Sequence, residues 1–95
     1  MNIKRILEQL KNNKTVAVTV NSSNIATVCY TPQNKTLSIL FNRKTVYQYS
    51  KVPQQVFLDL IQAESVGKAF QSLILNKYDF KRLCNDGSIA YIVEV

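Results

Sequence analysis

The stretch that decides the fold is Val46-Tyr47-Gln48-Tyr49, entered through the turn Asn42-Arg43-Lys44-Thr45. Side chains alternate between the two faces of a strand, so Tyr47 and Tyr49 point the same way. Upstream, Thr36-Leu37-Ser38-Ile39-Leu40-Phe41 is a second candidate strand. With Arg43-Lys44 as a two-residue hairpin loop, Asn42 opposes Thr45, Phe41 opposes Val46 and Leu40 opposes Tyr47. That register predicts one face of Leu37, Ile39, Phe41 and Val46, which needs a cover. The other face carries Ser38, Leu40, Tyr47 and Tyr49 and is free to meet a ligand or water. A slip of one residue reverses the assignment, and Arg-Lys specifies no particular turn type. The functional argument depends on which face the tyrosines take.

Working outward, the pattern after Ser50-Lys51-Val52 changes from period two to helical. Pro53 suits the first turn of a helix, where its missing N–H costs nothing. Val56, Phe57, Leu60 and Ile61 form an apolar stripe, with Gln55, Asp59 and Gln62 turned outward. Ala63-Glu64-Ser65 interrupts, and Ser65 is an N-cap candidate for a further helix with Ala69, Phe70, Leu73 and Ile74 at the same spacing. Both stripes read as core rather than as a cofactor site. Tyr78-Asp79-Phe80-Lys81-Arg82 closes the helical region, Asn85-Asp86-Gly87 is a turn, and 88–95 alternates Ile89, Tyr91, Val93 and Val95 as a last strand.

In the other direction, residues 15–20 read Thr-Val-Ala-Val-Thr-Val, a strand by alternation and β-branching. A polar turn over 21–24 leads to a strand over 25–30, and 31–35 connects that to Thr36. These loops are too short for parallel crossovers, so the strands form an antiparallel meander. Residues 2–13 begin the chain as a helix, with Ile3, Ile6, Leu7 and Leu10 on one side and Lys4, Arg5, Glu8 and Lys11 on the other. The expected architecture is a single α+β domain over 1–95. It has a small antiparallel sheet of about four to five strands covered by about three helices.

Ninety-five residues allow one modest core, and a hydrophobic share of 46% with 19% charged residues suits a folded globular chain. Twelve Lys+Arg against six Asp+Glu give a net charge of +6, which favours anionic partners or serves solubility. The basic residues are dispersed, so the fold must assemble any basic patch. Cys29 and Cys84 lie far apart with no signal-peptide pattern, which predicts reduced thiols and a cytoplasmic location. No apolar run is long enough to span a bilayer. Histidine is absent, which removes the commonest general base and the commonest metal ligand.

Ser22-Ser23-Asn24-Ile25, Tyr30, Leu37, Phe41, Val46-Tyr47-Gln48-Tyr49, Val52-Pro53, Leu60, Ala63, Ser65, Gly67, Phe70, Ile74, Tyr78 and Arg82 stand in an order that resembles the KTSC domain. That family is named for its occurrence at the C-terminus of some lysyl-tRNA synthetases, and it also occurs as small bacterial and phage proteins. Its hallmark is a central Tyr-x-Tyr. The resemblance covers 20–83, leaving 2–20 and 88–95 as additions. It implies RNA binding by analogy with the synthetases. Two positions depart from the family pattern. The hairpin loop, often Asn-Gly, is Arg43-Lys44 here, and Cys29 precedes Tyr30 where Gly is common.

Catalysis has little to work with. The six carboxylates are scattered, no Gly-rich phosphate loop follows a strand, and neither cysteine has an identifiable activating cation. No metal site or cofactor is expected. Binding is better supported. Tyr47 and Tyr49 on one sheet face could stack bases, with phosphate contacts from Arg43, Lys44, Lys68, Lys81 and Arg82. Lys51, at the strand's end, is expected near the same edge or face. The competing reading packs both tyrosines under the helices with their hydroxyls at the rim.

The helix start Ser65-Val66-Gly67-Lys68 is a candidate anion site, or else Gly67 is a close-packing residue. Lys77, Tyr78, Lys81 and Arg82 form a basic ridge if the helix continues, or a solvated helix end. The leading expectation is therefore a non-enzymatic nucleic-acid-binding module that prefers RNA or single strands. The alternatives are a protein-interaction module, phage-encoded and host-directed or self-pairing through a strand edge at 15–20 or 88–95, and a small-nucleotide-binding protein.

Overall fold

The computed structural model describes residues 2–42 and 45–83. In chain order the elements are α1 (Ile3–Lys11), β1 (Val16–Thr19), β2 (Ile25–Thr31), β3 (Thr36–Phe41), β4 (Val46–Tyr49), α2 (Gln54–Ile61), α3 (Val66–Leu73) and β5 (Phe80–Leu83). The strands make one antiparallel sheet in the order β1-β2-β3-β4-β5, a meander throughout. This is the expected α+β architecture with three helices. The expected strand over 88–95, and Cys84, lie outside the described residues.

Each helix begins and ends for a local reason. Asn2 caps α1 by accepting from the Arg5 N–H at 3.1 Å, and α1 buries Ile6 and Leu10. Asn13, with φ 59°, turns the chain away in the left-handed region that asparagine tolerates. Pro53 precedes α2, which buries Phe57, Leu58, Leu60 and Ile61. Ser65 caps α3, its Oγ accepting from the Lys68 N–H at 3.3 Å. The Tyr30 ring stacks on Phe57 at 5.1 Å and its hydroxyl donates to the Val52 carbonyl, fastening α2 to the sheet.

The β3–β4 register differs from the one expected. Leu37 faces Tyr49, Ile39 faces Tyr47 and Leu40 faces Val46. The Phe41 N–H donates to the Thr45 carbonyl at 2.9 Å, so the loop takes in Asn42 as well as positions 43 and 44. Asn42 is drawn out of the ladder because its own N–H donates to the Asn24 carbonyl at 2.8 Å and its Nδ2 to the Ser23 carbonyl at 2.8 Å. One residue of slip exchanges faces. Tyr47 and Tyr49 join Leu37 and Ile39 on the helix-covered side, and Val46 goes to the opposite side with Ser38, Leu40 and Gln48.

Two rows of paired residues cross that covered face. Val16, Tyr30, Leu37, Tyr49 and Phe80 make one, and Val18, Val28, Ile39, Tyr47 and Arg82 make the other. A bulge in β2 between Ile25 and Thr27 brings Ile25 opposite Phe41 and into the core.

The chain after α3 is also corrected. Lys77 and Lys81 do not share a helix: α3 stops at Leu73, Asn76 is left-handed at φ 63°, and β5 pairs with β4. The Ser50 N–H donates to the Asp79 carbonyl at 2.9 Å and extends the β4–β5 pairing by one step. Ladder bonds with β4 outweigh a helix that has already met its stop.

Candidate functional site

The register decides what each tyrosine can do. Tyr49 is 2% exposed and packs on Phe70 at 6.0 Å, so it belongs to the core. Burial, reinforced by the neighbouring Tyr47 phenol, pushes its hydroxyl up to about 12. The open Tyr47–Tyr49 platform foreseen from the sequence is thus replaced by another arrangement. Tyr47 is half-buried and stacks on Phe80 at 5.4 Å with the rings 18° apart. Phe80, in the outer strand β5, is 57% exposed. Its ring also covers Tyr49 at 5.6 Å.

On the other side of Tyr47, a groove of about 730 Å³ opens between β4, α3 and the loop over 22–24. Its more buried lining residues are Ile25, Phe41, Tyr47 and Phe70, and its rim includes Asn24, Thr45, Gln71 and Arg82. Phe41 meets Tyr47 and Phe70 edge-on at 5.5 and 5.7 Å, so the floor is a connected aromatic surface. The β2 bulge aims Ile25 and Phe41 here, and the Asn42 bonds to residues 22 and 23 hold the loop over the opening.

Of the site residues expected from the sequence, Tyr47, Gly67 and Arg82 come together at this groove. A Cβ on Gly67 would sit 3.6 Å from the Ser22 Oγ, an ordinary contact, so packing does not demand glycine there. Ser65 and Lys68 are outside the lining, and the Ser65 oxygen serves as a cap. Lys81 pairs with Gln48 and occupies the face opposite Arg82. Lys51 lies beyond the end of β4 far from the hairpin, not beside it. Arg43 and Lys44 are outside the described residues, although Asn42 and Thr45 on either side line the groove.

Sequence reasoning missed Phe80 and the 22–24 loop as parts of a site. The alternation of Phe80 and Arg82 with Lys81 and Leu83 was the available signal. Cys29 is buried at 1% exposure, as expected of a small apolar residue in a strand. Among the described residues no three His, Cys, Asp or Glu side chains cluster, and no helix is long and apolar enough to cross a membrane.

A family model described as the KTSC domain matches residues 21–78. The chain is 41% identical over 54 residues to a lysine–tRNA ligase of Nostoc punctiforme, a match covering 57% of this chain and 10% of that protein. The chain therefore spans about a tenth of that relative's length. It is 34% identical over 59 residues to a protein of Tsukamurella paurometabola, covering 62% of this chain and 88% of that one. The crystal structure of a KTSC domain protein from Yersinia pestis superposes with a TM-score of 0.70 at 30% identity, covering 74% of this chain and 99% of that one.

Proposed function

The chain belongs to the KTSC domain family, and we propose that it is a non-enzymatic module that binds single-stranded nucleic acid, RNA before DNA. One observation carries the reading. An exposed phenylalanine backed by a stacked tyrosine stands beside an aromatic-floored groove, with Arg82 on the same sheet face. Bases stack on Phe80 and in the groove, and Arg82 takes a phosphate. A stacked base is worth about 1–3 kcal/mol by alanine substitution, and every base has a face to stack. The net charge of +6 adds long-range attraction to a polyanion. The likeness to part of a lysine–tRNA ligase sets a similar domain within a protein named for tRNA. A cytoplasmic location accords with this reading.

Titration of isotope-labelled protein with a short unstructured RNA at about 50 mM salt tests it. The amide shifts are expected to gather on β4, β5 and residues 22–25. Shifts confined to β1, or none at that salt, would contradict it; the first result would turn attention to docking at a strand edge.

A further inference from the structure

The groove has features that a general stacking surface does not need. Its rim carries the side chains of Asn24, Gln71 and Arg82, and none has a hydrogen-bond partner among the described residues. Asn42 is committed instead, its Nδ2 donating to the carbonyls of Ser22 and Ser23 at 3.3 and 2.8 Å. The rim is therefore held in shape while two of its amides remain unspent. An amide offers a donor and an acceptor side by side, the pairing that reads a base edge. Stacking alone accepts any base.

Size and topology narrow the occupant. About 730 Å³ falls within the roughly 300–1,000 Å³ of pockets that hold a small organic ligand. That is room for a nucleotide, not for a run of stacked bases. β4 lies between β3 and β5, so its ladder groups are already paired and an added peptide strand finds none free on the groove's central strand. Arg82 is the one charged side chain among the described lining residues, and it suits a single phosphate.

Resting on the nucleic-acid reading above, we infer that the groove is a base-reading pocket for one unpaired nucleotide. The base lies against the Tyr47 and Phe41 rings, its edge meets Gln71 and Asn24, and its phosphate sits on Arg82. Base preference then belongs to the groove, and Phe80 outside it contributes affinity without preference.

The test compares short labelled oligo(A), oligo(C) and oligo(U) RNA by fluorescence anisotropy at about 50 mM salt. Wild type is expected to prefer one of them by about tenfold or more. Gln71→Ala and Asn24→Ala change exposed side chains and are expected to bring the affinities together, whereas Phe80→Ala lowers them in parallel. Equal wild-type affinities, or a preference that survives in both rim variants, would overturn the base-reading pocket and leave the nucleic-acid reading standing. Failure of all three strands to bind would overturn both.

Discussion

Phe80 is exposed yet held, with one face of its ring on Tyr47. Removing it deletes contact area at an edge rather than at the centre of the core, so Phe80→Ala should fold and lose RNA affinity by about 1–3 kcal/mol. Thermal melting beside a binding titration separates the two effects; a folded variant with unchanged affinity would contradict the role. Tyr49 has the opposite character. Its phenol is pushed up to about 12 because burial disfavours the anion, with the Tyr47 phenol adding to the effect. The folded state thus keeps a proton that the unfolded chain gives up from about pH 10. Stability should be full below that pH and decline as pH rises from 10 toward 12. Urea midpoints measured across this range should fall less steeply in Tyr49→Phe than in wild type. Tyr30, also raised by burial, contributes in the same direction. Nothing in Tyr-x-Tyr separates a core tyrosine from a half-exposed one, since two residues of one face look alike in sequence. Their different fates come from α3 lying over Tyr49 and the groove opening beside Tyr47.

At the scale of elements, the period-two runs for β3 and β4 and the helical stripes of α2 and α3 were legible because each repeats long enough to fix its type. Pairing was not. Asn42 bonds to a loop some twenty residues away, and that long-range tie sets the register. β5 reads Phe-Lys-Arg-Leu and is mostly exposed, so no apolar alternation announces it beside a helix end. Two turns carry a local cost: Lys35 and Lys51 have φ 56° and 57°, where a Cβ crowds the backbone. The Lys35 carbonyl accepts from the Val52 N–H at 2.9 Å, which holds one turn in place. Lys35→Gly should therefore stabilise the domain by about 1 kcal/mol, read as a higher urea midpoint with unchanged slope. A lower midpoint would show that the lysine side chain contributes more than its backbone costs. Gly67→Ala provides a sharper contrast. Helix propensity favours alanine by up to about 1 kcal/mol and the new Cβ finds ordinary space. Because Gly67 lines the groove, this variant should gain stability and lose RNA affinity.

For the whole molecule, the sheet separates charges that the sequence lists side by side. Arg82 shares the groove's face, Lys81 has the reverse face, and Lys51 stands at the end of β4 away from the hairpin. Lys81 lies between Phe80 and Arg82 in β5 and faces the other way, so it is the cation that the fold keeps off the site. Long-range attraction depends on the total charge, while tight contact depends on which cations reach the groove. The central claim is that single-stranded RNA binds at the Phe80–Arg82 side of the sheet. Its most direct measurement is anisotropy of a labelled single strand at about 50 and about 200 mM salt, comparing wild type with Phe80→Ala, Arg82→Gln and Lys81→Gln. The expected result is wild-type binding that weakens with salt, large losses in the first two variants, and a small loss in the third. Equal losses from Arg82→Gln and Lys81→Gln, with Phe80→Ala unaffected, would mean diffuse charge attraction and contradict the site.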